Sequence, residues 1–231
     1  MRVSLLITRY PRWAVPFAFF SMAIFRLPLW LNRKISFWRL MGSGKNGGFD
    51  LHPDFRQWAI LIVQDPLSNE SLTTPAHSTH TNAFGLTPSS FINSWIKFFK
   101  VKTTCFILEP IEGFGLWEGK EVFGKLPKQT SYEGKIAVLT RATIRFTKLK
   151  SFWKNVPVVN SKMKDAQGLL TSYGIGEWPF FKQATFSIWE SKAAMKNFAY
   201  KMQEHKEVVR KTTSEGWYKE EMFVRFKVLE D

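Results

Sequence analysis

Apolar and polar positions along this chain switch between a period of two and a period near 3.6, and the switches mark out strands and helices in a repeating order. Alternation and short apolar runs predict strands at Arg2–Thr8, Phe37–Gly42, Gln57–Gln64 and Thr103–Glu109, and again at Lys135–Arg145, Gly168–Gly174, Gln183–Trp189 and Glu221–Leu229. Three- and four-residue spacing predicts helices at Trp13–Leu31, Pro88–Phe99, Leu149–Asp165 and Lys192–Lys211, the last capped by Ser191. Each half therefore reads strand, helix, strand, strand, helix, strand, which is the ferredoxin-like or split-βαβ order written twice. The second strand of each half also runs into a glycine pair followed by an aromatic: Gly42-Ser43-Gly44 before Phe49, and Gly174-Ile175-Gly176 before Trp178. An internal duplication accounts for both regularities.

A ferredoxin-like unit covers one face of its sheet with two helices and leaves the other bare, so two units in one chain bury their open faces together. The expected class is α+β: two fused ferredoxin-like βαββαβ repeats forming an α+β barrel with a cavity between the sheets. The N-terminal repeat takes residues 1–112, a linker 113–133, and the C-terminal repeat 134–231. The glycine pairs lack a third glycine and do not lead into a helix, so they mark turns or bulges rather than a dinucleotide site.

Composition narrows the function classes. The 231 residues are 45% hydrophobic and 16% aromatic, with 22 Phe and 10 Trp, far from the make-up of a disordered chain. The single cysteine, Cys105, permits no intrachain disulfide and suits a reducing, cytoplasmic setting. His77 and His80 lie in a polar loop without a cysteine pair, which argues against structural zinc. A net charge of +14 favours anionic partners, but the basic residues are scattered and no nucleic-acid motif appears, so acidic lipid or an acidic protein is preferred over nucleic acid. The apolar stretch Trp13–Leu31 contains Pro16, Arg26 and Pro28 and follows a strand, so it reads as a buried or membrane-surface helix, peripheral to the inner face of the cell membrane.

Two constellations carry candidate chemistry. On the last helix Met195, Phe198, Met202, His205 and Val209 share one face, placing an imidazole where a core should be. Such a histidine is either a satisfied core residue or an axial ligand to haem iron facing a large apolar cavity, with Phe198 and Met202 packing against the cofactor. In the strand from Ile136, the face holding Ala137 and Leu139 continues into Arg141, Thr143 and Arg145. Two arginines at the polar end of an apolar strand belong either to an ordinary basic surface or to a site for carboxylates such as haem propionates.

Several runs carry a family resemblance. Phe37-Trp38-Arg39-Leu40-Met41-Gly42-Ser43-Gly44, Gly115-Leu116-Trp117-Glu118-Gly119-Lys120, Leu139-Thr140-Arg141-Ala142-Thr143-Ile144-Arg145, Gly174-Ile175-Gly176-Glu177, Gln183-Ala184-Thr185-Phe186-Ser187-Ile188-Trp189 and Gly216-Trp217-Tyr218-Lys219-Glu220-Glu221-Met222-Phe223-Val224-Arg225-Phe226 resemble the spheroidene monooxygenases, the acyclic carotenoid ketolases. The likeness runs in order along nearly the whole chain, apart from the Ser-, Thr- and His-rich loop 65–88, which has no counterpart and borders the expected cavity mouth. It implies haem b with its iron held by His205, O2, a linear carotenoid substrate hydroxylated and then converted to a ketone, and a ferredoxin-type electron donor, since no flavin or nicotinamide fingerprint is present. The alternatives are a haem lyase of the aldoxime-dehydratase type, a cofactor-free monooxygenase, and a non-catalytic haem- or polyene-binding protein.

Overall fold

The computed structural model describes residues 1–45, 48, 50–64, 87–201, 210, 212 and 214–230. His205, Met202 and nearly all of the loop 65–88 lie outside them. Among the described residues the chain forms β1 (Arg2–Arg9), α1 (Val15–Ile24), α2 (Arg26–Leu31), β2 (Ile35–Gly44), β3 (Pro53–Gln64), α3 (Ser90–Phe98), β4 (Lys102–Gly115), β5 (Ile136–Ile144), α4 (Leu149–Lys164), β6 (Leu169–Trp178), β7 (Lys182–Trp189), α5 (Lys192–Lys201) and β8 (Tyr218–Glu230). The fold is mixed α+β, with an eight-stranded antiparallel sheet and few helices.

The chain divides into two compact units, one made of Met1–Leu40, Phe55–Glu109 and Leu229–Asp231, the other of Met41–Asp54 and Pro110–Val228. In the first, β1 lies between β3 and β4, with Leu5 opposite Leu61 and Phe106, in the order β4-β1-β3-β2. In the second, β5 lies between β7 and β8, in the order β6-β7-β5-β8. Both units thus place the first and third strands of a βαββαβ half at the centre and the second and fourth outside them, the arrangement of a split-βαβ motif. The two glycine pairs meet each other: within the second unit Gly42 opposes Gly176, Ser43 opposes Ile175, and the Ser43 hydroxyl donates to the Gly174 carbonyl at 2.9 Å.

The single helix expected at Trp13–Leu31 is two. Proline has no N–H and its ring collides with the carbonyl four residues back. Pro28 directs that collision at Ile24, the last residue of α1, and α2 begins at Arg26. Phe25 at the break is buried beside Trp95, their rings 5.8 Å apart, and Ala14, Ala18 and Leu29 join it in a core closed by Leu6, Ile60, Ile92 and Ile96. Ser89 caps α3 by accepting from the Ile92 amide.

Strand β4 also differs from expectation, running past Pro110 to Gly115. Its ladder with β1 ends at Leu108, so the missing N–H of Pro110 falls beyond that pairing. The segment expected as a linker is a built part of the second unit. Trp117 and Lys120 exchange backbone bonds at 3.0 and 3.2 Å around Glu118 and Gly119, both at positive φ (53° and 75°), the pattern of a tight mirror-image turn. The amides of Glu118 and Gly119 donate to the Glu220 carboxylate at 3.1 and 2.9 Å. Fully buried Trp117 donates its indole N–H to Glu177 at 2.9 Å and lies under the Arg141 guanidinium, which itself binds Glu177 at 2.9 Å and Glu220.

Two outcomes follow from this cluster. Trp117→Ala empties a buried volume and strips Glu177 of a donor, so it should cost about 3–5 kcal/mol in thermal or urea unfolding. Burial alone raises the Glu220 carboxyl, but the amides of Gly119 and Glu118 and the Arg141 guanidinium outweigh it and hold the group below its ordinary value of 4.5. A depressed carboxylate adds stability that is complete above 4.5 and lost as pH falls through the lowered value. Unfolding midpoints recorded across the acid range should therefore drop below pH 4.5, and Glu220→Gln should be less stable at neutral pH with a shallower acid decline.

Candidate functional site

A cavity of about 1010 Å³ lies within the second unit, between its sheet and the helices α4 and α5. Its floor follows from register and pleat. Opposed residues form the rows Arg225–Val138–Ser187, Phe223–Thr140–Thr185 and Glu221–Ala142–Gln183 across β8, β5 and β7, and every member borders the cavity. Alternation turns these rows toward the helices together. The sequence reading placed the cavity between two sheets; this one lies between a sheet and its helices. Thr140, Ala142, Thr185 and Ser187 are too small to fill the space beneath α4 and α5, and Thr140 is exposed although it sits mid-strand. The roof is apolar where α4 supplies Phe152, Val156 and Met163 and α5 supplies Met195 and Phe198. Phe198 packs against Trp189 with ring centroids 5.3 Å apart.

One wall is charged. Glu112, from the end of β4, is 3% exposed and accepts from the Thr130 amide at 3.0 Å, from the Lys192 ammonium at 3.0 Å, and from Arg225. Lys192 opens α5, and Arg225 lies over the Phe223 ring with its guanidinium carbon 4.7 Å from the centroid. Burial pushes the Arg225 guanidinium below its ordinary value. Two buried cations thus face one buried carboxylate, and Arg225 Nε has no hydrogen-bond partner. A buried, unpartnered cationic donor beside a cavity has the chemistry of an anion site. Tyr218 also borders the cavity, and burial, with the nearby Glu221 charge, raises its phenol to about 12, so it stays a neutral O–H.

The structure brings some of the sequence-predicted residues together and not others. Phe198 lines the cavity, beside Met195. Arg141 borders it too, but its guanidinium is engaged by Glu177 and Glu220, with Nη2 left without a partner. Arg145 is exposed and donates from Nε to the Tyr218 carbonyl at 3.2 Å. Met202 and His205 lie outside the described residues. Sequence reasoning missed Glu112, Lys192 and Arg225. A charge embedded in the apolar run Met222-Phe223-Val224-Arg225-Phe226 was a readable signal for the last; Lys192 looks like any helix-opening lysine.

No family model matches the chain. Solved structures similar in fold include an aldoxime dehydratase (TM-score 0.58, 10% identity, covering 98% of this chain and 80% of that one) and the aldoxime dehydratase OxdRE in complex with butyraldoxime (TM-score 0.59, 11% identity, covering 99% and 79%). At such identity the likeness is one of fold alone. The sequence is 28% identical over 192 residues to the spheroidene monooxygenase of Rubrivivax gelatinosus, covering 82% of this chain and 67% of that one. It is 33% identical over 197 residues to the enzyme of the same name from Cereibacter sphaeroides, covering 85% of this chain and 56% of that one. With the spheroidene monooxygenase of Rhodobacter capsulatus it shares 32% identity over 219 residues, 94% of this chain and 85% of that one, and on this kinship the chain belongs to the spheroidene monooxygenase family.

Proposed function

We propose that this protein is a haem-dependent monooxygenase that oxidises the end of a linear, spheroidene-like carotenoid to a hydroxy- and then a keto-carotenoid, using O2 and electrons from a separate protein. The observation that carries the reading is the cavity of about 1010 Å³, apolar on its helical side and cationic on one wall, in a chain of this kinship. A haem is a broad apolar disc with two carboxylates on one edge. The roof of Phe152, Met195 and Phe198 suits the disc, and the excess cation at Lys192 and Arg225, with its unpartnered Nε, suits the carboxylates. Arg141, a residue at the cavity border whose guanidinium is held by Glu177 and Glu220, and Arg145 remain further candidates for the same carboxylates. When bound, haem supplies the O2 activation that no side chain here can.

The chain's own residues do the rest. His205 is proposed as the iron ligand because its helical spacing continues the stripe of Met195 and Phe198, which both face the cavity. Apolar walls admit a polyene and keep bulk water from the reacting carbon. Each round consumes O2, two electrons and two protons, turns C–H into C–OH and releases water. A second round at the same carbon gives a gem-diol, which loses water to form the ketone. The donor is proposed to be an acidic ferredoxin-type protein docking on a chain of net charge +14, and the site of action the inner face of the membrane that holds the carotenoid. We further read the chain as two fused ferredoxin-like repeats of the α+β barrel class, supported by the strand order that the two units share. The fold likeness to aldoxime dehydratases favours one other reading, a haem lyase that needs neither O2 nor reductant.

Two measurements test this. Reconstituted with haem b, the protein should develop a Soret band; His205→Ala should abolish it, and Arg225→Leu or Lys192→Met should weaken haem affinity about tenfold, the effect of losing one charged hydrogen bond. Leu at Arg141 or Arg145 that leaves affinity unchanged removes those two from the site. Carotenoid turnover should require both O2 and reductant, and at limiting donor should fall steeply as salt rises from about 0.05 to about 0.3 M. Turnover of an aldoxime without either co-substrate would establish the lyase instead.

A further inference from the structure

The helices α1 and α2 are apolar on both sides. Ala14, Ala18, Ser21, Phe25 and Leu29 form one stripe that is buried against the first unit's core. The outward side is not polar, as it would be on a helix facing water, but carries Trp13, Phe17, Phe20, Leu27 and Trp30, the last 73% exposed. The neighbouring helix α3 extends this surface. Phe17 stacks on Phe99 at 4.6 Å, Phe99 touches Phe98 at 4.9 Å, and Phe98 is 75% exposed. Monomeric soluble proteins rarely leave so continuous an apolar patch in water.

Charge identifies what covers it. Arg12, Arg26, Arg33, Lys34, Lys97 and Lys100 are exposed on and beside these helices, and residues 1–40 and 87–108 contain no Asp or Glu. Apolar aromatic side chains fringed by cations of one sign match the headgroup boundary of an anionic bilayer, where tryptophan prefers to lie and basic residues meet lipid phosphate. A second copy of the chain would bring the same cations face to face. The stretch Arg12–Leu31 is long and apolar enough to cross a membrane, but the burial of Phe25 and Leu29 favours a helix lying in the plane, because a helix crossing the bilayer would have to tear that stripe out of the core. We infer that α1, α2 and the exposed end of α3 form an in-plane docking face for an anionic lipid bilayer, with Phe20, Leu27, Trp30 and Phe98 entering the boundary and the flanking arginines and lysines on phosphates. This gives the membrane attachment proposed above a surface, yet it uses no cavity residue and stands whether or not the substrate is a carotenoid.

Flotation of the full chain with vesicles tests the assignment. Phosphatidylcholine vesicles containing about a third phosphatidylglycerol should carry the protein up, and phosphatidylcholine alone should retain far less. The variant Phe20→Ser/Leu27→Ser/Trp30→Ser alters only exposed side chains, so it should keep its far-ultraviolet circular dichroism and haem affinity while losing at least about tenfold in vesicle partitioning. Arg26→Glu/Arg33→Glu/Lys34→Glu should lose the preference for phosphatidylglycerol. Undiminished binding by the serine variant, attachment that resists alkaline carbonate, or a dimer that the serine substitutions break without any vesicle binding would each overturn the inference. Turnover of detergent-solubilised carotenoid separates the two readings: its absence in a wild-type protein that floats counts against the proposed function and leaves the docking face standing.

Discussion

The pleat of β5 is the constraint on which the second unit depends. One side of that strand sends Val138, Thr140 and Ala142 toward the helices, and their modest size leaves the cavity open. The other side sends Leu139 and Arg141 into packed surroundings. A slip of one residue against β7 or β8 would exchange the faces, filling the cavity with leucine and arginine and emptying the layer behind it. Arg141 fixes the register from outside the ladder, because its guanidinium reaches Glu177 on β6 and Glu220 on β8 over the Trp117 ring.

The two units use one element order for opposite ends. In the first, α1 to α3 pack Phe25, Leu29 and Ile92 together with Trp58 and Trp95 against the strand residues Leu6, Ile60 and Ile62. In the second, α4 and α5 stand over threonine, serine and alanine, and the same layer is hollow. The difference lies in side-chain volume at a few strand positions rather than in the order of the strands.

This division explains what was legible in the sequence. Strands and their alternation were readable because a period of two survives wherever one face is buried, and the rows of β5 follow from it directly. The break at Phe25 was written in Pro28, whose effect falls four residues upstream and is missed when apolarity alone is weighed. The turn at Glu118 and Gly119 was not legible because it is held by long-range partners, Glu177 and Glu220, and not by local periodicity. The cavity's charged wall was illegible for the same reason: Glu112, Lys192 and Arg225 meet only in space. Phe198, Met202 and His205 were singled out by helical spacing; Phe198 borders the cavity, and the other two lie outside the described residues.

Glu112 leaves β4 before the second half of the chain begins, whereas Lys192 and Arg225 arrive near its end. The cationic wall therefore comes into being only when segments far apart in sequence have closed on one another, a step whose loop-closure cost delays it relative to local contacts. The anion site proposed here is thereby tied to the completion of the fold.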